Sequence, residues 1–166
     1  MRRWLMVLIA LVSAFALASA PAGALPPEKS IKAQIGKVGD TLRVQFGDIV
    51  ADVTVVSVTP SDIPPGWGNP PRPPRQQVWR ANVVVQAVQV PTPGAMAAAF
   101  SFRGNTPTGD SYEPRTTDAP DELRVALLNA PQGSTVGGAV FWDCYRDLVS
   151  NVILLDKRTG LHIAQW

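Results

Sequence analysis

The chain has one cysteine, Cys144, one histidine, His162, and four lysines in 166 residues. A single cysteine rules out an internal disulfide, a CxxC redox pair, a zinc knuckle and an iron–sulfur site. With one histidine, any metal site using imidazole and any His-assisted nucleophile would depend on His162 alone. No G-x-S-x-G elbow, HExxH or phosphate-binding loop is present. The lysines are Lys29, Lys32, Lys37 and Lys157 and the arginines are scattered, so no basic stripe marks a nucleic-acid face, and nucleic acid is not an expected partner. Nothing in the sequence calls for a cofactor, and the reading is non-enzymatic. The acidic residues Asp110, Glu113, Asp118, Asp121 and Glu122 read as solvated loop charges, and His162 as a structural or surface residue.

Long apolar runs are also missing, except at the start. Arg2 and Arg3 precede an uncharged apolar stretch from Trp4 to Leu17, about 14 residues, followed by small residues and Ala22-Gly23-Ala24. This is the pattern of a secretory signal peptide over residues 1–24. A membrane span would need roughly 20 apolar residues, so no stable span is expected after cleavage. Arg2-Arg3 suits the general export route and loosely fits the twin-arginine one. The precursor carries 15 Lys and Arg against 13 Asp and Glu, and loss of Arg2 and Arg3 leaves 13 of each. The mature chain is electrically balanced, so the basic pI of the precursor carries no message about partners.

What is abundant is proline, 16 residues of it, and a hydrophobic period of two. Leu42, Val44 and Phe46 alternate with Thr41, Arg43 and Gln45. Gly47-Asp48 then predicts a turn, Ile49 to Val58 a second strand, and Pro60 its end. Val78 to Val88 sets Trp79, Ala81, Val83, Val85 and Ala87 on one face. Past a turn at Pro91 to Gly94, Met96, Ala98, Phe100 and Phe102 read as the next strand, paired with the one before it. Asp121 to Leu128 fits either two helical turns or a strand. Thr135 to Tyr145 places Val136, Val140, Trp142 and Cys144 together, and Asn151 to Asp156 with Leu161 to Trp166 forms a closing hairpin. About seven or eight short strands with turn clusters between them predict an all-β fold, an immunoglobulin-like antiparallel β-sandwich, with a small barrel as the rival. Trp79, Val83, Phe100, Trp142 and Cys144 are the expected core. Residues 25–34 read as a flexible segment and residues 35–166 as the domain.

Residues 60–76 are a long proline-rich stretch between two strong strand patterns. Neither flank could close a core alone, so it is an intradomain loop and not a linker. Pro70 to Arg75 also matches the PxxPxR pattern that SH3 domains read, a match an exported protein has little use for. Trp67, Arg72 and Arg75 are the candidate interaction residues. Trp67 either anchors a partner or folds back to cap the sandwich, and the arginines either meet an acidic or glycan partner or keep the loop soluble. Cys144 is either a buried small hydrophobe or a thiol that pairs two chains.

Three stretches carry a family likeness: Gln77-Val78-Trp79-Arg80-Ala81, Pro131-Gln132-Gly133-Ser134, and Gly138-Ala139-Val140-Phe141-Trp142-Asp143 ahead of a hairpin ending in Trp166. Together they resemble the small secreted immunogenic antigens of mycobacteria, the MPT/MPB type. The resemblance spans roughly Ile35 to Trp166. It implies an immunoglobulin-like sandwich outside the cell, possible association with the cell envelope, no catalytic motif, and a role in host interaction or surface binding. Two departures stand out: the Pro64 to Arg75 insertion, and Cys144 where an aliphatic residue would serve. A small secreted hydrolase or ligand carrier and a structural envelope protein are the alternatives.

Overall fold

The computed structural model describes residues 33–68, 72–146 and 148–166; the expected signal peptide and most of the segment after it lie outside them. Ten strands and two short helices make two packed sheets. In chain order they are β1 (Gln34–Ile35), β2 (Thr41–Phe46), β3 (Ile49–Ser61), β4 (Gln77–Gln89), α1 (Ala95–Ala99), β5 (Phe100–Asn105), β6 (Ser111–Tyr112), β7 (Pro114–Arg115), α2 (Leu123–Leu128), β8 (Thr135–Cys144), β9 (Asn151–Asp156) and β10 (His162–Gln165). One sheet runs β1-β10-β9-β5-β6 and the other β2-β3-β4-β8-β7. Every ladder is antiparallel except the short one between β1 and β10. This is the expected immunoglobulin-like sandwich. β1, β6 and β7 are two-residue pieces, and the other seven strands carry the fold.

The period-two pattern works as an amphipathic face should. Val44, Ala51, Val53, Val55, Ala81, Val83, Val85 and Ala87 point inward from β2, β3 and β4 against Phe100, Phe102, Val152, Leu154 and Ile163 of the opposite sheet. Of the expected core residues, Val83, Phe100, Trp142 and Cys144 are buried in this cluster, and Trp79 is partly buried at its margin. Trp142 is 0% exposed, and its indole Nε1 donates to the Phe102 carbonyl at 3.0 Å, tying one sheet to the other. The tryptophan lies on Gly104, where an added Cβ would sit 2.9 Å from the indole ring, so glycine is required there by close approach.

Three readings are corrected. Ala95 to Ala99 is one turn of helix, not the start of a strand: a run of alanine and methionine without β-branching favours the helix, and Ala98 faces out. β5 does not pair with β4. Through α1 the chain crosses to the other sheet, where β5 pairs with β9, while β4 pairs with β3 and β8. Pro60 does not end β3. It stands opposite Trp79, beyond Thr54 where the β2 ladder stops, so a missing N–H on that open edge breaks no ladder. The open question over Asp121 to Leu128 resolves as helix α2.

β8 is covered on both sides. Val140, Trp142 and Cys144 join the main core, while Ala139 and Phe141 form a second, smaller cluster with Val78, Ala119 and Trp67. The proline-rich loop therefore packs on the outer face of the sheet.

Candidate functional site

The loop between β3 and β4 is docked at both ends. Near its start, the Asp118 N–H donates to the Pro65 carbonyl at 2.8 Å, and Gly66 takes a positive φ of 69° against Asp118. Trp67 follows and is 5% exposed. Its indole covers Phe141, Ala139 and Val78, so the reading of Trp67 as a presented anchor gives way to the other one, a cap on the sandwich. At Trp67 the loop lies against the sheet instead of projecting an aromatic into solvent.

At the far end, the fastener is Asp143, whose side chain is 2% exposed. The Arg75 N–H donates to its Oδ1 at 2.8 Å, and the Arg72 and Arg115 guanidiniums lie 3.4 and 3.7 Å from Oδ2. A buried carboxylate is tolerable only when partnered in this way. Arg72 and Arg75 thus hold the loop down through one carboxylate, and both side chains stay exposed.

The exposed part of this end is built around Tyr145. The residue is 39% exposed and its ring is met by two arginines, with the Arg75 guanidinium 4.9 Å and that of Arg146 5.5 Å from the ring centroid. Tyr112 meets it edge-on at 5.4 Å, and Arg146 reaches Asp110 at 3.4 Å. Beside it is a hollow of about 360 Å³ walled by Gln76, Gln77, Trp79, Cys144, Arg146 and Leu148. Tyr145 and Arg146 are site residues the sequence reading missed. The register explains their position: Gln77 stands opposite Cys144 in the β4–β8 ladder, which brings the residues before 77 beside those after 144.

Cys144 forms a wall of that hollow without being available from it. The side chain is 2% exposed, and burial, with a smaller push from the neighbouring Asp143 charge, raises the thiol to about 12. A thiol held this way stays protonated and fills space as a small hydrophobe, which speaks against the alternative of a disulfide between chains.

A second concavity of about 290 Å³ opens where β5, β7, α2 and the β9–β10 turn meet. It contains three carboxylates, and each has its own partner. Glu113 is bonded to Arg103, and Glu122 takes the Thr117 N–H at 3.0 Å and Arg124 at 3.1 Å. Asp156 accepts from the Thr159 hydroxyl and N–H and from the Arg158 N–H. Burial, the largest influence on Asp156, would raise its pKa; the Thr159 bonds, the Arg158 N–H and the Arg158 charge outweigh it and leave the carboxyl below its ordinary value. No carboxylate pair is left free for acid–base work there, and His162 does not line the cavity. Among the described residues, no group of three or more His, Cys, Asp or Glu side chains could hold a metal ion.

Fold and site together define an immunoglobulin-like sandwich whose surface polar groups are organised as an aromatic–arginine end and an ion-paired flank. Residues 33–159 match the family described as a domain of unknown function, DUF1942, and the chain belongs to that family. Its structure is similar to the 1.5 Å crystal structure of MPT63, a secreted protein from Mycobacterium tuberculosis, with a TM-score of 0.63 and 22% identity over 82% of this chain and 98% of that one. That likeness speaks for the fold, and it agrees with the resemblance carried by Gln77 to Ala81 and Gly138 to Asp143. No curated protein matches the chain.

Proposed function

We propose that the protein is a secreted, non-enzymatic binding module that engages an acidic partner, a protein or an envelope glycan, through the loops at the Tyr145 end of the sandwich. Export is supported by the charged, apolar and small-residue pattern of residues 1–24 and by similarity to a protein described as secreted. No helix among the described residues is long and apolar enough to cross a membrane.

The observation that carries the binding reading is Tyr145 with the guanidiniums of Arg75 and Arg146 on its ring. Tyrosine and arginine dominate binding hot spots because they offer large contact area and directed polar groups. Here the tyrosine ring is already positioned by three neighbours, so little rotamer entropy remains to be lost on contact. Among the described residues, Arg72, Arg75, Arg115 and Arg146 converge on this end against the carboxylates of Asp143 and Asp110. The surplus is positive, which selects an acidic partner and steers its approach.

The test is biolayer interferometry of the chain from Leu25 against anionic and neutral polysaccharides and an acidic polypeptide, at two salt concentrations. Binding should favour the anionic probes and weaken with salt. Tyr145→Ala with Arg75→Ala should weaken it at least tenfold, while Arg43→Ala on β2 leaves it unchanged. Equal binding of neutral and anionic probes, or of parent and double variant, would count against the reading.

A further inference from the structure

The cavity between β5, β7 and α2 has a floor and a rim of different chemistry. Phe100, Phe102, Leu123, Leu127 and Val140, all members of the main core cluster, supply apolar wall, so the cavity reaches down to the sandwich interior. The rim is charged, and its charges do not cancel. Arg103 and Arg124 are taken up by Glu113 and Glu122, Arg115 turns to Asp143, and Asp156 is occupied by the turn that it caps. Lys157 is left without an acidic partner among the described residues.

We infer that this cavity, which adjoins the Tyr145 end at Arg115, is a second binding site for a small amphipathic monoanion: a short alkyl chain bearing a carboxylate. The chain lies on Phe100, Phe102 and Leu127, and the carboxylate sits at the rim beside the Lys157 ammonium. The volume sets the length. At roughly 30 Å³ per water-sized group, a cavity of about 290 Å³ accommodates about ten non-hydrogen atoms, the size of octanoate. A neutral alcohol would gain the apolar wall without the charge, and acetate the charge without the wall.

The experiment is isothermal titration of the chain from Leu25 with octanoate, octanol, octylammonium and acetate. Octanoate should bind at least tenfold more tightly than octanol, with octylammonium and acetate weaker still. Lys157 is exposed on a turn, so Lys157→Met should keep the fold, checked by circular dichroism, and should bring octanoate down to the level of octanol. Ala97→Phe, which places a ring into the cavity wall, should abolish binding of both. If octanoate fails to bind, binds no better than octanol or octylammonium, or binds Lys157→Met and Ala97→Phe as well as the parent, the site does not exist as described.

Discussion

Truncating Trp67 separates the two roles once open to it. If the indole is a cap, Trp67→Ala uncovers Phe141, Ala139 and Val78 on the outer face of β8 and β4 and leaves a void under the loop. Removing a buried tryptophan typically costs 3–5 kcal/mol, and the value falls where the surroundings can collapse. A five-residue satellite cluster beneath a surface loop is such a place, so the expected loss is about 3 kcal/mol. For a domain of this size that corresponds to a fall in Tm of about 12 °C, read by circular dichroism. Asp143→Ala attacks the other fastener. It leaves the Arg75 N–H without its acceptor and should cost about 2 kcal/mol. Because both substitutions free the same loop, the double variant should lose less than the sum of the two. Limited trypsin digestion gives a local readout. Pro73 protects the bond after Arg72, so release of the loop should appear as cleavage after Arg75 in both variants before it does in the parent. A Trp67→Ala protein that melts within about 4 °C of the parent, with the Arg75–Gln76 bond still resistant, would refute the capping argument and restore Trp67 as a surface anchor.

Other perturbations test the interior. Gly138→Ala would put a Cβ 2.5 Å from the Leu123 Cα and 2.8 Å from the Asp121 carbonyl, both backbone atoms that cannot step aside; denaturant titration should show a loss of about 1–3 kcal/mol. Cys144 should resist a thiol-specific disulfide reagent at pH 8 in the native protein and react fully once unfolded. Because folding raises its pKa to about 12, the associated stability is complete below the unfolded thiol value of roughly 8.5 and declines as pH climbs from there toward 12, a decline that Cys144→Ala should reduce in alkaline melts. Asp156 works in the opposite sense. Its folded pKa is lowered, so its contribution is present above the ordinary carboxylate value of about 3.9 and is lost as pH falls through the folded value; Asp156→Asn should flatten that part of an acid titration of stability.

The strands were legible wherever one face meets water, since there the alternation of side chains is written directly into the order of residues. β2, β3 and β4 are such cases, with Leu42, Val44 and Phe46 of β2 set against Thr41, Arg43 and Gln45. Pairing was less legible. Nothing local to Phe100 says that it faces Asp156 rather than β4, because the crossover is made by a five-residue helix whose alanines carry little signal. The aromatic–arginine end depended on the β4–β8 register, which joins residues some seventy positions apart, so Tyr145 could not be foreseen beside Arg75. Trp67 was ambiguous for a physical reason: an aromatic in a stiff loop is equally suited to cover its own sheet or another molecule, and the composition of the loop is the same in both cases. The cavity on the flank draws on β5, β7, α2 and the β9–β10 turn, and no spacing within one segment encodes it.

The parallel ladder between β1 and β10 also bears on how the chain comes together. Gln34 and Ile35 find their partners only at Ala164 and Gln165, and the Trp166 indole donates to the Asp40 carbonyl at 3.0 Å. The sheet containing β1 therefore stays open along one border until β10 has arrived, however early the β3–β4 ladder has formed. Contacts of this sequence separation close slowly, because the whole intervening loop must be ordered before they form. The border of this sheet therefore waits on the last strand of the domain, and a chain cut before His162 would leave Gln34, Ile35 and the Asp40 carbonyl without these partners.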